Sequence, residues 1–362
     1  MPIPAALTKN LTLPVIGAPM FIVSTPALVI AQCKAGIIGA FPALNARPAE
    51  RLDEWLTAIE EALADGKSAP YGSSAEGRER DAAQGARSAA AETYQWDRRG
   101  SEHRATQRCA RAATYAELPY AVNLIVHPTN ERLEADLAQC VAHRVPLVIT
   151  SLGKPSVIVD AVHGYGGLVF HDVTTVRHAE KALEAGVDGL ILVAAGAGGH
   201  GGTLSPFALV SEVRRFYDGP LALAGAITNG RQILAAQVLG ADFAYVGTRF
   251  IATQEANASD DYKQAILAAH ADDIVYTPYF TGVPGNYLKS SIVRAGLDPA
   301  ALPSGHGPKL EFARATEGAK AWRDIWGAGQ GVGGIEDIPA TAELVARLKN
   351  EHQAARAALC GL

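Results

Sequence analysis

Along most of the chain, short blocks that are apolar at nearly every position alternate with longer stretches whose apolar residues recur at three- and four-residue spacing. The short blocks fall at 15–20, 37–42, 120–126, 147–151, 167–173, 189–195, 221–227 and 243–250. Continuous rather than alternating apolarity predicts parallel strands covered on both faces. The longer stretches, at 26–35, 48–64, 131–144, 155–165, 176–185, 206–217 and 230–239, predict the helices that cover them. Thr25, Asn130 and Ser205 stand before three of these helices where N-caps are expected, and three helices end near Gly36, Gly186 and Gly240. Eight strands separated by helices predict a (β/α)8 TIM barrel. A doubly wound open sheet is the other arrangement of such units, but eight regular units suit closure better.

Two stretches break the alternation. Between Ser68 and Glu117 there is no Val, Ile, Leu, Met or Phe, and eight arginines stand with no lysine. Such a segment has too little apolar surface to offset its ordering entropy, and reads as a weakly helical excursion inserted into the barrel. From 255 to 320 the chain is rich in Pro and Tyr with helical pieces, which reads as a helical lid following the eighth strand. The expected organisation is therefore a barrel over 1–254, a lid over 255–320, and a return to the barrel over 321–362 ending in a helix from Thr341.

Composition narrows the function. With 48% hydrophobic residues in 362 there is ample material for a large core. A net charge of −5 gives no reason to expect nucleic acid or an anionic membrane as partner. The most apolar region, 13–44, is interrupted by four prolines and Lys34, so it reads as strand, helix, strand and not as a membrane span. Cys33, Cys109, Cys140 and Cys360 are scattered without CxxC spacing, and no secretory pattern opens the chain; a reducing cytoplasm is the expected location.

Candidate chemistry clusters where barrel enzymes place it, at the C-terminal ends of the strands. The seventh strand runs into Gly225-Ala226-Ile227-Thr228-Asn229-Gly230, and the eighth into Tyr245-Val246-Gly247-Thr248-Arg249-Phe250. Each turn brings a glycine and backbone N–H groups to a position suited to an anion. The sixth strand ends in Ala195-Gly196-Ala197-Gly198-Gly199-His200-Gly201-Gly202. Gly196, Gly198 and Gly201 match G-x-G-x-x-G in form, but Asp218 precedes the next strand and no helix follows directly, so the run is a poor dinucleotide fingerprint. It reads better as a loop that brings flat surface against the backbone and one imidazole, His200, into the site as base or hydrogen-bond donor. Asn123, inside the third strand, either meets a heterocycle edge or is a satisfied core amide. His171 and Asp172 end the fifth strand and face the site or orient a neighbouring loop. Tyr287 and Lys289 in the lid either receive an anionic substrate or form a surface turn. The histidines lack metal-ligand spacing, so no metal is expected.

Taken together these residues resemble a known family. Pro14-Val15-Ile16-Gly17-Ala18-Pro19-Met20, Asn123 in Ala121-Val122-Asn123-Leu124, Gly198-Gly199-His200-Gly201, Gly225-Ala226, the Tyr245–Phe250 run and Trp326-Gly327-Ala328-Gly329-Gln330 are similar to the nitronate monooxygenase (2-nitropropane dioxygenase) pattern, in the same order. The resemblance implies an FMN-dependent barrel that oxidises alkyl nitronates, of the propionate 3-nitronate type, with O2 to a carbonyl product and nitrite. Carried over by position, Gly225, Ala226, Gly247 and Thr248 would hold the FMN phosphate, with Tyr245 and Val246 leading into that turn. Ala18, Pro19, Met20, Asn123, Gly198 and Gly199 would line the ring and ribityl chain, and His200 would be the catalytic residue. The partners would be a small nitronate or nitroalkane and O2, with room for a homodimer. Two positions depart from the pattern: Ala226 stands where a second glycine is common, and Asp172 where some relatives carry a lysine near the cofactor. The same motifs also suit an NAD(P)H-dependent flavin reductase of quinones or enoyl thioesters. A flavin-binding protein without turnover is the third reading, and His200 speaks against it.

Overall fold

The structure, a computed structural model, describes residues 5–8, 10–64, 119–303 and 323–360. The arginine-rich stretch and the end of the expected lid lie outside them. In chain order the strands are β1 (Val15–Gly17), β2 (Gly39–Pro42), β3 (Tyr120–Ile125), β4 (Leu147–Ser151), β5 (Leu168–Val173), β6 (Gly189–Val193), the two-residue β7 (Gly199–His200), β8 (Leu221–Ala224) and β9 (Phe243–Val246). All but β7 pair in parallel in the order β1-β9-β8-β6-β5-β4-β3-β2. A parallel bridge between Ile16 and Ile38 joins β1 to the start of β2 and closes the ring. This is the expected TIM barrel, with β8 and β9 as its seventh and eighth staves.

The apolar blocks form strands because both of their faces are covered. Ile16, Ala121, Ile149, Phe170, Ile191, Ala222 and Phe243 fill the inside of the ring, where the Phe170 and Phe243 rings meet edge-on at 6.5 Å. Val15, Val122, Val148, Val169, Leu190, Leu221 and Ala244 face the helices. Two blocks stop short. The chain leaves the extended region at Gly225, whose φ is +138, and after Gly247 it turns into a helix, Thr248–Ile251. Short apolar runs do not distinguish a strand from a buried helical turn, and here Phe250 and Ile251 are buried as part of that turn.

The seven expected helices are present: Pro26–Lys34, Arg51–Ala64, Leu133–Ala142, Ser156–Gly164, Val176–Glu184, Pro206–Arg214 and Gly230–Leu239. Their caps correct the expectation. Thr25 and Ser205 hold the N-cap positions without a side-chain bond, and Asn130 lies outside its helix, its amide donating to Ile125 O at 2.9 Å. The capping side chains are Thr175, accepting from His178 N at 3.2 Å, and Asn229, in a reciprocal capping box with Gln232. Gly36, Gly186 and Gly240 do end helices, each with positive φ.

The described part of the expected lid holds helices and, besides them, a hairpin. After the barrel come a helix (Asp260–Leu267), a hairpin of β10 (Ile274–Thr277) and β11 (Gly285–Leu288), and a short helix (Lys289–Arg294). β11 pairs antiparallel with β7, Gly285 opposite His200, so the lid reaches back and completes a small sheet with the glycine loop. Tyr262 stacks on Trp326 at 5.0 Å, and the Arg294 guanidinium lies 5.0 Å above the same indole. The C-terminal helix Thr341–Cys360 returns to the barrel, where Glu351 accepts from Gly230 N at 2.7 Å. Among the described residues no helix is long and apolar enough to cross a membrane.

Candidate active site

A cavity of about 1160 Å3 opens at the C-terminal ends of the strands. It gathers Ala18, Pro19, Met20, Asn123, Gly198, Gly199, His200, Gly225, Ala226, Tyr245, Gly247 and Thr248, which come from five separate strand ends. Three of the expected site residues are not brought there. Val246 points into the layer between barrel and helices, because it alternates with Tyr245 along β9. Tyr287 is fully buried in β11 among Phe280 and Ile292, its phenol 3.5 Å from Thr281 Oγ1. Lys289 is exposed on the far side, with Nζ donating to Asp272 O at 3.4 Å.

On one side the cavity is walled by turns. Gly225 has φ +138 and Ala226 φ +53, so two successive residues carry positive φ. Among the described residues the N–H groups of Ala226, Gly247 and Thr248 have no backbone acceptor, and these residues line the cavity together with Gly225. These residues are half-buried, and a cluster of backbone donors converging on a cavity wall suits an anion. Thr248 Oγ1 is occupied, accepting from Gly329 N at 2.9 Å. Gly329 packs so closely that a Cβ there would lie 2.4 Å from Gly196 O. The Trp326–Gln330 segment thus lies against the glycine loop, with Gln330 N donating to Gly196 O at 2.9 Å.

The Ala18–Met20 wall is held by a residue that sequence patterns did not single out. Asn45 Nδ2 donates to Met20 O at 2.9 Å and to Ser24 O at 2.8 Å, while its Oδ1 accepts from Ile22 N at 2.9 Å. Only the positions of the three carbonyl and amide groups, 21 to 25 residues away, reveal that role.

His200 hangs over the opposite side. Its Nε2 lies 2.9 Å from Thr281 Oγ1, and Thr281 donates its hydroxyl proton to Val283 O at 3.0 Å. A hydroxyl has one proton to give, so Nε2 is the donor and the basic lone pair lies on Nδ1. Burial pushes the imidazole down to about 4, so it stays neutral at physiological pH. Asn286 steadies the same loop, donating to Ala197 O at 2.6 Å, and Tyr276 donates to Gly201 O at 3.0 Å.

The floor is the top layer of the barrel interior. Asn123 lies with Ala121 on the inward face of β3, and Asp172 with Phe170 on that of β5. Asn123 Nδ2 donates to Ile149 O at 3.1 Å and to Ser151 Oγ at 2.8 Å, and Ser151 donates to Asp172 Oδ2 at 2.6 Å. His171, on the opposite face of β5, donates to Thr150 Oγ1 at 2.8 Å, since Thr150 gives its own proton to Phe170 O. Burial pushes His171 down to about 4 as well. Among the described residues no group of three or more His, Cys, Asp or Glu side chains could hold a metal ion.

This arrangement agrees with comparisons to known proteins. A sequence model described as nitronate monooxygenase matches residues 5–351. The chain belongs to the nitronate monooxygenase family. It is accordingly a flavin-dependent oxidoreductase. A nitronate monooxygenase of Paraburkholderia phytofirmans is 29% identical over 357 residues, covering 93% of this chain and 92% of the relative. Matches to relatives from Mycobacterium tuberculosis and Staphylococcus haemolyticus are shorter, and span 60% of each relative's length. Among solved structures, the nitroalkane oxidase of Streptomyces ansochromogenes superposes with a TM-score of 0.72 at 23% identity, covering 98% of this chain and 99% of that one. FabK of Thermotoga maritima superposes with a TM-score of 0.69 at 20% identity, covering 99% and 97%. At these identities the two superpositions speak for the fold of this family member.

Proposed function

We propose that the protein binds FMN at the barrel mouth and oxidises alkyl nitronates with O2 to a carbonyl product and nitrite. The observation that carries this reading is a neutral, oriented imidazole facing a cavity whose other wall presents the unpaired backbone N–H groups of Ala226, Gly247 and Thr248. FMN fits on two counts. Its phosphate would take the donors of Ala226, Gly247 and Thr248 without any charged side chain, and its ring would lie against Ala18, Pro19, Met20, Asn123 and the Gly198–Gly199 backbone. Gly198 could not be larger, since a Cβ there would stand 2.8 Å from Gly329 N.

When bound, the flavin supplies the electron transfer to O2; the protein supplies binding, orientation and proton handling. His200 Nδ1 takes the α-proton from a neutral nitroalkane, while Thr281 holds the ring in the tautomer that leaves that nitrogen basic. With a preformed nitronate no proton need be removed, and Nε2–H, fixed on Thr281, keeps the ring in place beside the substrate. The hairpin β10–β11 backs the loop and keeps bulk water from that side of the site. The reading takes a nitronate and O2 as partners and the cytoplasm as compartment.

Two measurements test it. The purified protein should be yellow with stoichiometric FMN. Anaerobic addition of propionate 3-nitronate should bleach the flavin bands, while NADH or NADPH should leave them unchanged within minutes. A colourless protein that takes up no FMN would defeat the reading. Bleaching by reduced nicotinamide and not by nitronate would transfer the site to the reductase reading.

A further inference from the structure

At the mouth of the barrel the phenol of Tyr245 is a polar group without a protein partner. Along β9 it points inward with Phe243, while Ala244 and Val246 face the helices. Its register partners, Ile16 on β1 and Ala224 on β8, are apolar and face the same way. Tyr245 is only 8% exposed and lines the cavity, and its hydroxyl makes no hydrogen bond to any described residue. The hydroxyl is not sealed in. Among the described residues, the side-chain atoms that lack both a partner and solvent contact lie on Gln32, Arg132, Asp136 and Asp172. The Tyr245 oxygen therefore still meets open space, and the space beside it is the cavity. The other tyrosines of the cavity wall are engaged, Tyr262 with Gly327 O and Tyr276 with Gly201 O.

A phenylalanine would fill the same volume, and a buried hydroxyl that finds no partner is a cost. Burial, and after it the Asp172 carboxyl, raises the phenol above its ordinary value, so it keeps its proton and is available as a donor. Its place in the ring of staves says to what. β9 lies between β8 and β1. The turns at Ala226 and Gly247 end the first two, and the Ala18–Met20 wall ends the third. These ends are close: a Cβ on Gly247 would lie 3.4 Å from the Ala18 Cβ. A molecule with its phosphate on the turns and its ring against Ala18–Met20 and Asn123 passes over the Tyr245 phenol. In FMN that stretch is the ribityl chain and the adjoining N1–C2=O edge, which are rich in acceptors, and the oxidised ring has N3–H as its single donor. Resting on the flavin reading above, we propose that the Tyr245 hydroxyl donates a hydrogen bond to the flavin where the ribityl chain joins the ring. It is a side-chain anchor beside the backbone donors of the phosphate turns. Water can serve the hydroxyl otherwise, so the contact is worth one exchanged hydrogen bond, about three- to tenfold in affinity.

The test is binding of FMN, riboflavin and lumiflavin to the flavin-stripped full-length protein, wild type and Tyr245→Phe, followed by quenching of flavin fluorescence. Tyr245→Phe removes one oxygen and keeps the ring that packs between Ile16 and Ala224, so the flavin-free Tm should not fall. The variant should bind FMN and riboflavin about three- to tenfold more weakly than the wild type. Lumiflavin lacks the ribityl chain and locates the acceptor. A loss of the same size with lumiflavin puts it on the ring edge, and unchanged lumiflavin binding puts it on the ribityl chain; both uphold the proposal. Equal affinities of the two proteins for FMN and riboflavin would overturn it. So would a loss confined to FMN, which would place the hydroxyl at the phosphate, or a loss accompanied by a lower flavin-free Tm, which would reduce Tyr245 to packing. Failure of the wild type to bind FMN would overturn the flavin reading itself, and this inference with it.

Discussion

The two sides of the cavity are made of different materials. The wall from β8 and β9 is backbone: glycines, one alanine with positive φ, and N–H groups without acceptors. The wall opposite is a side chain, His200, whose direction and tautomer are set by Thr281 and whose loop is braced by Asn286, more than 80 residues further along the chain. A backbone wall tolerates side-chain change as long as the turn survives. A side-chain wall fails when any one of its distant supports is removed. Predictions that separate the two follow from that contrast.

The largest effect is expected at His200. His200→Asn should lower kcat/KM for a neutral nitroalkane by about 10²–10⁴-fold, the usual worth of a general base, and lower it far less for the preformed nitronate. Equal losses on both substrates would show that His200 takes no proton. On the backbone wall, Gly225→Ala places a Cβ 2.7 Å from Ala195 O at a φ of +138. It should cost about 2–3 kcal/mol of stability in urea unfolding and strip the bound flavin. If Gly225→Ala keeps full flavin content, the turn does not hold the phosphate.

The side-chain wall also carries a pH signature. His171 and His200 fold with pKa values near 4, below the ordinary 6.5 of the unfolded chain. The unfolded state therefore binds their protons first. Their contribution to stability is complete above about pH 6.5 and is lost as the pH falls toward 4, by up to about 1.4 kcal/mol per pH unit for each. Asp172 acts in the opposite sense, because its raised carboxyl takes up a proton in the folded state first. Comparing the acid-induced fall in Tm of wild type and His200→Asn cancels Asp172 and reads the His200 share alone. Identical falls would mean that the imidazole is not held neutral.

Two smaller effects refine the contrast. Thr281→Val removes the acceptor that fixes the His200 tautomer and should lower kcat/KM for nitroalkanes about tenfold, the value of one aligned hydrogen bond, with Tm nearly unchanged. Restored activity in Thr281→Ser would confirm that the hydroxyl matters. Ala226→Gly relieves a left-handed alanine and should raise stability by about 0.5–1 kcal/mol without loss of flavin. A destabilised Ala226→Gly would mean that the Ala226 Cβ, against Gly196, contributes more packing than its backbone costs.

Much of the barrel was legible because its staves are covered on both faces, so eight apolar blocks and seven amphipathic stretches map onto eight strands and seven helices. Their ends were less legible: 243–250 reads as one apolar run, and only burial of Phe250 and Ile251 outside the sheet shows that it divides at Gly247. Within the site, the glycine turns could be read directly, because strand ends with Gly and N–H groups have few other uses. Val246 was misplaced by a one-residue alternation, and Tyr287 and Lys289, read as either substrate contacts or a surface turn, lie at the end of a strand pairing that no local pattern marks. A hairpin buries Tyr287 in its own small core and leaves Lys289 outside.

By itself, the sequence determined the number and order of the staves, the positions of the turns, and the one imidazole on a glycine loop, since local period and backbone freedom settle those. The tertiary structure decided which proton sits where. The His200 tautomer depends on Thr281, the Ala18–Met20 wall on Asn45, and the orientation of the Asp172 carboxyl on Ser151 and Asn123. Each of those depends on groups distant in sequence meeting within about 3 Å, and hydrogen-bond direction is a property of the assembled neighbours and not of any segment.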